Sequence, residues 1–330
     1  MDNRLTKRRL SDFLAYEWIL TLIVAAAAII VLELVYTVSA VRLTTGQVFK
    51  YYFDQDLYSY EESGSSLYGL LDWQKNENGK TFSYDVLSVE SENLVSSYNV
   101  LSVRLSVQEG DALFTSSTEA EDGSSRVKSV IDASPVYDFD KLLKDAKEYL
   151  QKFLKDGETD LYAAENYDER KISDYFDARM KGDNRFRTEE QKSEGRVKEI
   201  GRIKKLAAEV KDFEYILSIG ESKGLFYKYT KYEYAAENDT SREQNSVKAR
   251  DREIAEGREN AAYGLNLSAL TYATDKDKKD VSAFFKIQGK DDAEGVVMVL
   301  FDFLSYQPDL QFESVCFVNT VVREFSDFLD

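Results

Sequence analysis

The chain of 330 residues contains no histidine, one cysteine (Cys316) and two prolines (Pro135 and Pro308). Without histidine, a Ser-His-Asp triad, a Cys-His dyad and an imidazole metal site are excluded. One cysteine allows neither an internal disulfide nor a thiolate zinc cluster. Glycine-rich phosphate loops of the P-loop or dinucleotide kind are also absent. Positive charge is scarce. Forty-three Lys and Arg face 60 Asp and Glu, for a net charge of −17. Binding to a phosphate backbone needs a concentrated basic face, so nucleic acid is not expected as a partner. No cofactor and no metal site are expected from these residues.

What the chain does have is one long apolar run near its start. Trp18 to Val41 reads WILTLIVAAAAIIVLELVYTVSAV. As a helix it spans about 36 Å at ~1.5 Å per residue, enough to cross a hydrocarbon core of about 30 Å. Trp18 and Tyr36 stand near its two ends, where amphipathic rings favour the interface. Glu33 is the one charge inside, and contact with a partner helix is its functional reading. Arg4, Lys7, Arg8 and Arg9 precede the run, whereas only Arg42 and Lys50 follow closely. The positive-inside rule therefore puts the N-terminus in the cytoplasm and residues 42–330 outside, on a single-pass cell-membrane protein. A cleaved signal peptide is the alternative, with Val38-Ser39-Ala40 as the small-residue site. The run exceeds the usual h-region of about 7–15 residues, which favours an uncleaved anchor.

The expected organisation is a basic cytoplasmic segment over 1–17, a transmembrane helix over 18–41 and an extracytoplasmic α/β domain over 42–330. That domain divides into lobes 42–135, with a C-terminal return, and 136–260. The first 41 residues hold four basic and four acidic groups, so the whole negative charge belongs to the outer part. An exported domain without disulfides fits a bacterium with a single membrane.

Along the outer chain, Gln47–Phe53, Thr81–Val89 and Gly110–Thr115 read as strands, with helices expected over 61–71 and 93–107. Strands alternating with helices suggest βαβ units and a mostly parallel sheet. The middle turns helical. Phe139, Leu142, Leu143, Ala146, Leu150, Phe153 and Leu154 share one face, and Ile200, Ile203, Leu206, Val210, Phe213 and Leu217 another. Residues 225–234, 262–267 and 283–287 read as further strands. Residues 237–260 lack apolar periodicity and read as a loop or solvated helix. Residues 294–305 and 309–329 read as closing helices.

Short motifs each have a plain alternative. Ser125-Arg-Val-Lys128 matches the S-x-x-K of penicillin-binding enzymes, but its K-T-G partner is missing. Asp275, Asp277 and Asp280 begin like a calcium loop, yet lysines interrupt them and the turn glycine is absent. Asn238 and Asn266 head glycosylation sequons. Tyr51, Tyr52, Tyr58, Tyr60, Tyr68 and Trp73 cluster early, and Phe226, Tyr227, Tyr229, Tyr232 and Tyr234 later. Such rings either stack on a ligand in a cleft or pack as ordinary strand residues.

The basic N-terminus, the run Phe13–Trp18 entering one membrane span, and the strands Gln47–Phe53, Thr81–Val89 and Gln108–Thr115 carry a resemblance. Tyr263-Gly264-Leu265-Asn266-Leu267 adds a return strand. The chain resembles membrane-anchored extracytoplasmic solute-binding proteins of the type II periplasmic-binding fold, found in low-G+C Gram-positive bacteria. The resemblance implies a periplasmic-binding-protein-like domain, a small solute such as a sugar or peptide, and a membrane importer as partner. The outer part is short for two full lobes, and Trp73 is its one tryptophan.

In open α/β sheets, ligands sit beyond the carboxyl ends of the strands. That makes Asp54 and Gln55, after the first strand, candidate ligand-binding residues. Thr115 and Ser116 follow for the third strand, and Tyr263 and Asn266 for the later half. The expected function is a membrane-anchored, non-catalytic, solute-receptor-like module. The alternatives are an envelope interaction protein that keeps the fold without a ligand, and a cell-wall hydrolase using paired carboxylates.

Overall fold

The computed structural model describes residues 11, 18–39, 44–54, 57–59, 82, 88–94, 98–120, 123–231, 259–270, 280–287, 289–303 and 306–329. The chain divides into two compact units, Met1–Arg42 and Leu43–Asp330. In the first, helix α1 covers Trp18–Ser39. Its run from Trp18 to Tyr36 is long and apolar enough to cross a membrane, the one such helix among the described residues. A membrane anchor and a signal sequence both satisfy that description.

The second unit is built on a mixed six-stranded sheet in the order β3-β1-β4-β8-β6-β5. Its strands are β1 (Val48–Phe53), β3 (Ser88–Asn93), β4 (Ala112–Ser116), β5 (Phe226–Tyr229), β6 (Ala261–Asn266) and β8 (Val296–Leu300). β1 pairs in parallel with β3 and with β4. The pairings β4–β8, β8–β6 and β6–β5 are all antiparallel. The sheet is therefore not mostly parallel, as the alternating pattern suggested. The reason lies in residues 294–305, expected to be a helix. Val296–Leu300 is instead a strand buried at every position, lodged between β4 and β6. A short apolar run buried on both faces carries no period that separates strand from helix. Of the expected second strand over 81–89, Ser88 and Val89 open β3, which runs to Asn93, while residues 81 and 83–87 lie outside the described residues. A small antiparallel sheet joins β2 (Leu57–Ser59) to β7 (Phe285–Ile287). Stacked rings connect it to the large one, with Phe114 at 5.2 Å from Phe53 and 4.7 Å from Phe285.

Helices cover both faces of the sheet. Alternate residues of β4 point to opposite sides, so Phe114 enters the larger core and Leu113 the smaller. Against the larger core lie α4 (Phe139–Gln151), α6 (Glu189–Lys223) and α7 (Glu313–Phe325). Against the smaller lie α2 (Tyr98–Ser106) and α3 (Arg126–Ala133). α5 (Glu169–Arg179) packs beside α6. Side chains from both expected lobes, 42–135 and 136–260, meet in the larger core. Tyr51 and Tyr52 are wholly buried, so these two rings pack the core rather than stand in a cleft.

The helix ends follow from local chemistry. Asp138 and Asp168 cap α4 and α5 by accepting backbone amides. Thr188 and Gln191 form a reciprocal capping box at the start of α6. Gly224, at φ +67°, ends that helix in the left-handed conformation. The expected helix over 61–71, residues 237–258 of the expected loop and the Asp275–Asp277 pair lie outside the described residues.

Candidate functional site

The chain leaves β1 toward β3 on one side and returns to β4 on the other. That reversal creates a crevice beyond the carboxyl ends of β1 and β4, the usual ligand position in such sheets. Asp54 follows β1 directly, and its backbone N–H donates to Phe114 O at 2.9 Å. Thr115 Oγ1 donates to Asp54 Oδ2 at 2.8 Å. Arg126, the first residue of α3, reaches the same carboxylate with two bonds. Nε donates to Oδ2 at 2.6 Å and Nη2 to Oδ1 at 3.1 Å. Asp54 is 1% exposed and the Arg126 side chain 12%. Two parallel N–H donors matching one carboxylate make a strong, oriented pair. Pairing also offsets the cost of burying the charge.

Arg126 lines a hollow of about 540 Å³ with Ser116, Thr118, Glu119, Ser124, Ser125, Ser129 and Ile287. Five of its lining residues carry hydroxyls, and Ala120 and Ile287 add apolar surface. Ser116 Oγ accepts the Thr118 amide at 3.1 Å, which holds the turn after β4. Ser117, next in the chain, ties this turn to the one before β8, donating from N and Oγ to Gly295 O at 2.7 and 3.1 Å. Gly295 sits at φ +81°, and a Cβ there would stand 3.0 Å from Thr118 Oγ1. Glycine is needed at that edge for both reasons.

Ser125 and Lys128 do not form a nucleophile–base pair. Ser125 Oγ caps α3 by accepting the Lys128 amide. Lys128 Nζ donates instead to Glu119 Oε1 at 2.6 Å and Gly123 O at 2.9 Å. Among the described residues, no group of three or more Asp, Glu, Cys or His side chains is arranged to hold a metal.

No protein-family profile, curated protein or solved structure matches the chain.

Of the residues expected from the sequence, Asp54 and Thr115 meet directly, and Ser116 lines the hollow. Asp54 and Thr115 lie behind Arg126 and hold it in place rather than forming the wall. Gln55 lies outside the described residues. Tyr263 is buried in the smaller core, beside a register shift where β5 pairs with β6. Asn266 stands level with Thr115, since both pair with Val297 from opposite sides. Its side chain is engaged locally, donating to Gly224 O and accepting from Ser268 Oγ. Neither Tyr263 nor Asn266 lines the hollow. The residue that sequence reading missed is Arg126. Its signal was the cap residue Ser125 just before it, which fixes Arg126 at a helix start.

Proposed function

We propose that the chain is a membrane-anchored, solute-receptor-like binding module. α1 is its anchor, residues 42–330 stand outside the cell, and the hollow at Arg126 takes a small polar solute. The observation that carries this reading is Arg126, held by buried Asp54 at the carboxyl ends of the parallel strands. A guanidinium already fixed by its partner loses little freedom when a ligand arrives. Hydroxyls both donate and accept, which suits a polar ligand with several oxygen or nitrogen atoms. This placement supports kinship in plan with periplasmic-binding folds, with an importer as the membrane partner. Fold plan alone does not carry the activity, so the reading stands on the hollow.

The test is a thermal-shift screen of the full chain in detergent micelles against sugars, amino acids and short peptides. A ligand at 100 times its Kd stabilises by about 2.7 kcal/mol. For a chain of this size, whose unfolding entropy is about 0.6–0.7 kcal/mol/K, that shifts the midpoint by about 4 °C. The expected hit loses its shift in Arg126→Gln and in Ser116→Val. A flat response from a cooperatively melting sample overturns the receptor reading in favour of an envelope interaction protein. Resistance of the membrane-bound chain to alkaline extraction tests the anchor separately.

A further inference from the structure

A second hollow, of about 430 Å³, lies between the last turn of α5, the turn over 181–187 and the first turns of α6. It shares no lining residue with the Arg126 hollow. Its inner wall is apolar. Buried Phe176 meets Phe186 edge-on, with ring centroids 5.0 Å apart, and Met180 lies beside them. Gly195 makes this wall possible. A Cβ there would stand 2.4 Å from Phe176 Cζ and 2.8 Å from Phe186 Cε1. Glycine is a poor residue inside a helix, and here it lets two rings lie against the backbone of α6.

The rim is cationic. Lys181, Arg187, Lys192 and Arg196 face only Asp177 and Asp183. Arg196 grips Asp177 with two bonds of 2.8 Å. Lys192 Nζ donates to Glu189 at 2.7 Å, and Arg185 Nη2 neutralises Asp183 at 2.6 Å. Each rim carboxylate thus meets a cation, Asp183 sharing Arg185 with Asp309 at 2.9 Å, and Lys181 and Arg187 supply the surplus at the rim. Arg187 Nε donates to the neutral Asn184 Oδ1 at 3.2 Å. On a chain of net charge −17, a local positive surplus runs against the overall field, which repels anions elsewhere.

We propose that this hollow binds a small organic anion, with a flat ring seated on Phe186, which Phe176 backs from within, and its carboxylate or phosphate held at Lys181 and Arg187. Phe186 is the partly exposed ring of the pair, with buried Phe176 packed edge-on behind it, so ring-on-ring contact falls on Phe186. A guanidinium matches planar oxyanions, and a lysine adds a mobile point charge. The volume falls within the usual range for small-ligand sites, about 300–1,000 Å³.

The probe is para-fluorophenyl phosphate, followed by fluorine NMR on the full chain in detergent micelles. Saturable broadening is expected, with binding weakened about tenfold or more in the double variant Lys181→Glu, Arg187→Glu. Both substituted residues are exposed, and an unchanged melting curve shows that the variant is folded. Inorganic phosphate and para-fluorobenzyl alcohol, each carrying half of the recognition, are expected to compete about tenfold more weakly. No saturation below about 10 mM, equal binding by the charge-reversed variant, or equal competition by phosphate alone overturns the proposal. Capture of an acidic peptide with no binding of the phenyl phosphate overturns it too.

Discussion

Asp111 and Lys50 are joined twice. The Asp111 amide donates to Lys50 O at 2.7 Å, and Asp111 Oδ2 accepts the Lys50 amide at 2.7 Å. The carboxyl thereby takes a backbone group at the start of β4, where it is 4% exposed. Burial pushes it up to about 7, against the pull of the amide bond. The unfolded chain, with an ordinary carboxyl, binds fewer protons than the folded chain between about pH 4 and 7. Stability from this group is therefore full below that window and is lost as pH rises through it. Glu109, nearby, has the opposite sign. Burial raises it, but Lys50 and Arg104 outweigh that and hold it low, so its stability is lost only as pH falls below the ordinary range. Urea midpoints at pH 5 and pH 8 separate the two. Asp111→Asn is expected to flatten the difference and to gain about 2–4 kcal/mol at pH 8. An identical pH dependence in the variant would show that the buried carboxyl is not its source.

A heavier dependence falls on Arg202. It is 1% exposed, donates to both oxygens of Glu199 at 2.8 and 3.0 Å and to Tyr149 Oη at 2.6 Å, and lies 3.7 Å from Glu313. Burial alone would lower the pKa of this guanidinium, but Tyr149, Glu199 and Glu313 outweigh that and hold it well above its usual range. Arg202→Met takes the central guanidinium from two buried carboxylates, leaving Glu199 with Arg179 at 3.2 Å, and is expected to cost about 3–5 kcal/mol. The exposed pair Lys144–Glu148, at 3.9 Å, is the control. Lys144→Ala is expected to cost under about 1 kcal/mol in the same denaturation series.

Two glycines of α6 should respond in opposite directions to alanine. Gly201 has nothing within 4 Å of the position a Cβ would take. Gly201→Ala is expected to stabilise by up to about 1 kcal/mol through helix propensity and unfolded-state entropy. Gly195→Ala gains the same propensity but drives a methyl into Phe176 and Phe186. Overpacking of that kind costs about 1–3 kcal/mol, so the net change is expected to be destabilising. Melting midpoints of the two variants, measured side by side, check the sign.

What the sequence reading reached and what it missed divide along one physical line. The amphipathic face from Phe139 to Leu150 is local, and it reads as the helix that α4 forms, whereas its cap at Asp138 was not singled out. β4 was legible because its apolar run follows a Gly-Asp turn. β8 was not, because its direction and state are set by partners on both sides. The same holds at the hollow. Asp54 follows from a rule about strand ends, whereas its partner Arg126 lies 72 residues away. No spacing in the sequence announces that pair. The placement of Tyr263 turns on a register shift opposite Tyr227 and Lys228, which a period of two does not anticipate.

The Asp54–Arg126 pair can be weighed against its neighbours by a double-mutant cycle. Asp54→Asn leaves a mostly buried guanidinium facing a neutral amide, and Arg126→Gln leaves a carboxylate at 1% exposure with the Thr115 hydroxyl. Each single change is expected to cost about 3 kcal/mol, because each leaves a buried charge without its counter-charge. The double variant removes both charges together. It should cost less than the sum, with a coupling of about 1–3 kcal/mol. The cycle also separates holding from binding. Should Asp54 act only by fixing Arg126, ligand affinity lost in Asp54→Asn is not lost again in the double variant beyond the loss in Arg126→Gln alone. Losses that add in full would place Asp54 against the ligand itself.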